Sequence, residues 1–178
     1  MLPNGVNGSA GKVGRDESHQ IARLHQLSDQ IVICGSLAAA DLSWLASQRR
    51  ATVIDLRTVG EEVSGGLSFA EERRLATELG IAYHHIPIAR GIRPKEAVAE
   101  VRVLLRAAAA RVLLHCTDGA RAGAVALIHL GCDAGRSLGQ CYTQAAQLPV
   151  QPPVEAWVGY ILDEPRRALP RQSPYRHP

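Results

Sequence analysis

The sequence predicts an α/β fold, a single domain with a mainly parallel central sheet flanked by helices. Three observations carry this. Short runs of β-branched and aliphatic residues alternate with longer stretches whose apolar residues recur at helical spacing, the pattern of repeated βαβ units. The chain has 178 residues, 46% of them hydrophobic, which suffices for one sizeable core. One apolar run, Val112 to Leu114, passes through a short loop straight into a helical pattern, as happens where a parallel strand ends at a ligand site.

Taken in order, Met1 to about Ser18 is rich in Gly and Asn with almost no large apolar residue. It cannot bury enough surface to fold and is expected to be a disordered leader. The folded domain is expected over 19–164, with His19 to Leu27 as a short lead-in. Ile31-Val32-Ile33-Cys34, stopped by Gly35, reads as the first strand, and Cys34 as a core residue. Ser36 is the expected cap of a helix carrying Leu37, Leu42, Trp44 and Leu45 on one stripe, with Arg49 and Arg50 at its end. Ala51 to Leu56 is the second strand. Asp55 and Arg57 flank its end, either as a structural ion pair or with Arg57 at the mouth of an anion site.

Val59 to Leu67 is a loop, and Ser68-Phe69-Ala70-Glu71 is a capping box opening a helix to Leu79, with Gly80 just beyond it. Ile81 to Ile88 is the third strand, where the adjacent His84 and His85 must face opposite sides. Pro94 suits the first turn of a helix running to about Ala110, with Val98, Val101, Leu104 and Leu105 as its buried stripe. After Val112–Leu114 and its loop, a helix is expected from Ala122 to Leu130, ended by Gly131. Arg136 to Gln147 is a further helix, Pro149, Pro152 and Pro153 break it, and Val154 to Leu162 is the last. Residues 165–178, with four arginines and four prolines, read as a flexible basic tail.

Composition removes several function classes. With aromatic residues at only 4%, there is no stacking platform for single-stranded nucleic acid, and a net charge of +3 is too mild to imply a nucleic-acid partner. No apolar stretch reaches membrane-spanning length, and no charged-then-apolar signal opens the chain, so the reading is cytoplasmic with no membrane partner. Cys34, Cys116, Cys132 and Cys141 show no Cys-x-x-Cys spacing, which argues against zinc. No metal and no cofactor are expected, and the sequence leaves the oligomeric state open.

The chemistry concentrates in Arg111-Val112-Leu113-Leu114-His115-Cys116-Thr117-Asp118-Gly119-Ala120-Arg121-Ala122-Gly123. Strand, tight loop and helix in that order aim backbone N–H groups and the positive helix end at one point. A sulfur there sits where its anionic form is favoured. Arg121, five positions on, can supply a planar donor for an oxyanion. The predicted chemistry is attack by the sulfur of Cys116 on an anionic group cradled by Thr117, Gly119, Ala120 and Arg121. Arg57 and Arg90 are candidates to bind the same anion, and Arg93 to attract it.

His115-Cys116-Thr117-Asp118-Gly119-Ala120-Arg121 resembles the active-site loop of the cysteine-dependent phosphatases of the dual-specificity type. Those enzymes place five residues between Cys and Arg, whereas four stand here, a spacing shared with rhodanese-type sulfurtransferases. The same spacing occurs in a bacterial family of phosphatase-like domains, often named beta-lactamase-hydrolase-like or sulfur transferase. Asp29 to Gly35, Thr52 to Arg57 followed by Gly60-Glu61-Glu62, and Tyr83 to Ile88 also resemble that family, so the likeness covers roughly 25–135.

The resemblance implies a cysteine-phosphatase-like fold and catalysis by Cys116 with Arg121. It also marks two departures. The loop that carries an acid in such phosphatases reads Ala89-Arg90-Gly91-Ile92-Arg93 here, and Ala122 stands where a Ser or Thr usually follows the Arg. Asp118, placed like an Asp in myotubularin-type phosphatases, is therefore the candidate general acid, the alternative being that it only tunes the loop. Three readings follow: a hydrolase of a phosphate monoester through a cysteinyl-phosphate, a sulfurtransferase carrying a persulfide on Cys116, and a catalytically silent anion-binding domain. The partner in each is an anion, a phosphate ester or thiosulfate.

Overall fold

The computed structural model describes residues 24–48, 51–61, 66–91 and 94–163. The expected leader, the basic tail, the helix end at Arg49 and Arg50, and Arg93 lie outside them.

Five strands form one sheet: β1 (His25–Gln26), β2 (Ile31–Cys34), β3 (Thr52–Asp55), β4 (Ala82–His85) and β5 (Val112–His115). Their order across the sheet is β1-β2-β5-β3-β4. β5 lies parallel between β2 and β3, with Cys34 and Asp55 both in register with His115, and β3 pairs β4 in parallel. β1 is antiparallel to β2 and forms an edge that the sequence reading took only as a lead-in, since two residues show no periodicity. The expected third strand is shorter than its apolar run, yet the chain still follows β3 beyond it. Ile86 N–H donates to Asp55 O and Ile88 N–H to Leu56 O, at 2.9 and 3.0 Å.

The period of two along each strand divides the core. Val32, Cys34, Val53 and Leu113 face α1 (Ala39–Ser47) and α2 (Phe69–Glu78). Ile31, Ile33, Ile54, Val112 and Leu114 face α3 (Lys95–Ala107), α4 (Ala120–Cys132), α5 (Leu138–Ala146) and α6 (Val154–Asp163). Cys34 is a core residue, as expected. No helix among the described residues is long and apolar enough to cross a membrane.

Two expectations fail locally. Ser36 does not cap α1: the Ala38 N–H is satisfied by Asp41 Oδ2 at 2.8 Å, and Ser36 Oγ donates instead to Thr117 O at 3.2 Å. Gly131 does not end α4. The helix continues to Cys132, and a Cβ on Gly131 would sit 2.5 Å from Ile161 Cδ1 of α6. The missing side chain is a seat for the neighbouring helix, and the left-handed turn is made by Gly135 at φ 71°.

Candidate active site

The site stands at the carboxyl end of β5, the middle strand of the five. The apolar strand stops at His115, and Gly119 adopts φ 92°, a left-handed conformation that glycine takes without strain, to start α4 at Ala120. This turn packs back to back against the one after β2. A Cβ on Gly35 would lie 3.0 Å from Thr117 O, and Ser36 N–H donates to that same carbonyl at 3.2 Å.

Cys116 is buried, its Sγ at the head of the helix. Gly119 N–H donates to Sγ at 3.2 Å, and Sγ lies 3.6 Å from Asp118 Oδ1. Ala120 N–H is not aimed at the sulfur: it donates to Asp118 Oδ1 at 3.0 Å. Of the three loop residues expected to cradle an anion, Gly119 turns its N–H to the sulfur, the Ala120 N–H is used inside the loop, and Thr117 Oγ1 accepts from Arg121.

Arg121 folds back over the loop. Its Nη1 and Nη2 grip Glu61 at 2.8 Å each, Nη1 also reaches Ile88 O at 2.6 Å, and Nη2 donates to Thr117 Oγ1 at 3.1 Å. The Nε–H is buried with no hydrogen-bond partner among the described residues. An orphaned donor of this kind costs about 1–3 kcal/mol until an acceptor arrives. Glu61 is also braced by the N–H and hydroxyl of Thr58, both at 2.7 Å. Burial alone would raise the Glu61 value, but the Arg121 guanidinium and the Thr58 donors outweigh it and hold the carboxyl at about 2.

Arg90 crosses the loop mouth, 3.0 Å from Asp118 Oδ2 and 3.4 Å from Glu61 Oε1. Partial burial would raise the Asp118 value. The Ala120 N–H and the Arg90 charge prevail, so its carboxyl stays below the usual carboxylate range. A group held as carboxylate is poorly suited to give up a proton.

The structure separates Arg57 from the other candidates. Its side chain is fully buried, with Nε and Nη2 on Asp55, Nη2 also 2.6 Å from Glu72 Oε1 and Nη1 on Leu67 O. The structural alternative is the one its geometry takes, because no face of the guanidinium is left for a solute. His115 Nε2 lies 3.2 Å from Glu72 Oε2, and the Tyr83 hydroxyl donates to Asp55 Oδ2 at 3.1 Å. His85 is satisfied by Arg57 O at 2.8 Å and stacked near Phe69. Asp55, Glu72 and His115 have the spacing of a metal site. The Arg57 charge already bridges both carboxylates there.

Sequence reasoning overlooked three participants: Glu61, Ser36 and Gly35. Thr58-x-x-Glu61 has the form of a self-capping turn, a local signal for Glu61 beside its place in the Gly60-Glu61-Glu62 resemblance. Nothing near Ser36 or Gly35 announces contact with a loop some 80 residues later.

The chain shares its fold with a candidate phosphatase from Neisseria meningitidis (23% identity, TM-score 0.63, 79% of this chain and 96% of that one). It is similar to Tk-PTP in its active form (20% identity, TM-score 0.59, 79% and 94% covered). It is also similar to a cysteine-to-serine variant of TpbA from P. aeruginosa in complex with pTyr (17% identity, TM-score 0.54, 70% and 72% covered). No curated protein matches the chain. Residues 23–132 match the family described as beta-lactamase hydrolase-like protein, phosphatase-like domain, and the chain belongs to that family.

Proposed function

We propose that this chain is a cysteine-dependent phosphatase acting on a phosphate monoester, with Cys116 as nucleophile. The observation that supports it best is the pairing of a buried sulfur, met by the Gly119 N–H at the head of α4, with an Arg121 that keeps one buried N–H uncommitted. That Nε–H and the Gly119 N–H are the donors for the oxyanion that develops as the phosphoryl group transfers.

In the first step Sγ attacks phosphorus, a S–P bond forms, and the ester P–O bond breaks with its electron pair on the leaving oxygen. In the second, water attacks phosphorus, the S–P bond breaks, and phosphate and the cysteine are released. Asp118, ionised and held by Arg90, is not the proton donor in this scheme. The leaving oxygen takes its proton from solvent, which favours substrates whose leaving group is itself acidic. The pTyr in the TpbA complex has a leaving group of that kind, a phenol.

The ionised Asp118 also favours a second reading, sulfur transfer, which needs no acid. Sγ would attack the outer sulfur of thiosulfate, the S–S bond would break, and sulfite would leave with the electron pair, giving a persulfide on Cys116.

Intact-protein mass spectrometry after separate incubation with an aryl phosphate and with thiosulfate, on wild type and Cys116→Ser, separates them. The phosphatase reading expects phosphate release that falls by at least about a thousandfold in Cys116→Ser. A one-sulfur adduct on wild type alone, without phosphate release, would establish sulfur transfer in its place.

A further inference from the structure

A cavity of about 360 Å³ lies beside the loop, between the segment after β4 and helices α4 and α6, a volume in the range of small organic ligands. Its lining is mainly apolar, with Ile88, Val98, Val125, Ile128 and Ala156 in its walls. Arg121 is also in its wall, so one side chain borders both the cavity and the sulfur loop. The segment after β4 borders both spaces: Ala89 and Gly91 line the cavity, while Arg90 between them pairs with Asp118 and Glu61 across the loop mouth.

The charges set a second limit. Around the sulfur, among the described residues, the cations Arg90 and Arg121 are matched by the acids Asp118 and Glu61. Among the described residues the site has no surplus positive charge with which to hold several phosphates.

We infer that the substrate carries a single phosphoryl group on an apolar body, and that this body lies in the cavity beside Arg121. The inference rests on the phosphatase reading and deepens it: the cradle takes the phosphoryl group, the cavity selects what is attached. Polyphosphorylated compounds are excluded by charge and small polar alcohol phosphates gain nothing from the walls.

Calorimetric titration of the wild-type protein with methylphosphonate and octylphosphonate, whose C–P bonds resist hydrolysis, tests this. Each buried methylene is worth about a fourfold gain, so burial of two suffices for tenfold. Octylphosphonate is expected to bind at least about tenfold more tightly than methylphosphonate. Ala156→Leu and, independently, Val98→Phe should fill the cavity and erase most of that difference. Equal affinity of the two phosphonates for wild type, or a gain that survives in both folded variants, overturns the proposal. If neither phosphonate nor inorganic phosphate binds at all, the phosphatase reading itself fails and takes the inference with it, an outcome distinct from phosphate binding without any benefit from the tail.

Discussion

At the scale of single residues, the site is governed by which acid touches which arginine. Asp118 accepts from the Ala120 N–H and from Arg90 and stays ionised, which in the proposed mechanism leaves it holding the loop. Asp118→Asn should lower turnover of an aryl phosphate and of an alkyl phosphate by the same factor. A loss confined to the poorer leaving group, measured as kcat/KM for the two, would restore Asp118 as the acid. Glu61→Gln should cost about tenfold to a hundredfold in kcat/KM, the worth of a charge-assisted hydrogen bond, because Arg121 keeps Ile88 O and Thr117 Oγ1 but loses the carboxylate. With the Glu61 carboxyl lowered from 4.5 to about 2, the pair is intact above pH 4.5 and is lost as pH falls through about 2. That Cys116, Asp118 and Arg121 meet in one loop was legible because they are contiguous in sequence. Glu61 was not, because it is 60 residues from the arginine it orients. The charge of Arg57 suggested a binding role, whereas its burial with Asp55 and Glu72 depends on a helix that only the fold brings near.

At the scale of elements, glycines in α4 decide how its neighbours approach. A Cβ on Gly123 would meet Pro152 Cγ at 2.9 Å, and one on Gly131 would meet Ile161 at 2.5 Å. Gly131→Ala should destabilise the protein by about 1–3 kcal/mol through overpacking, read as a lower urea midpoint with an unchanged slope. An unchanged midpoint would mean that α6 shifts at no cost. Periodicity located all six described helices to within a few residues. It misread Gly131 as a stop because a helix-ending glycine and a helix-seating glycine look alike in sequence, and only the partner, Ile161, tells them apart. The boxes Ser68 to Glu71 and Ser137 to Gln140 both form. The first was legible; the second was missed because Gln140 lies among residues already assigned to the helix.

At the scale of the molecule, titratable groups on opposite faces of the sheet act in one direction. For Asp55, Asp118 and Asp133, burial is outweighed by hydrogen bonds and arginine charges, and each is held below its ordinary value of 3.8. His25 and His129 are held below 6.5, in both cases chiefly by burial. In all five the folded state binds protons less readily than the unfolded chain, so stability is greatest above pH 6.5, erodes as the histidines of the unfolded chain protonate, and falls further below about pH 4. Urea midpoints from pH 8 to pH 3 should decline throughout, and a maximum on the acid side would contradict this balance. The strand order has another consequence, which concerns assembly. β5 is the last strand to leave the ribosome and the one in the middle of the sheet. Until it arrives, β1–β2 and β3–β4 are two separate pairs, each with a bare inner edge. Cys116 therefore takes its place in the same event that closes the sheet, and a nascent chain that has not yet joined its two halves carries no assembled loop site.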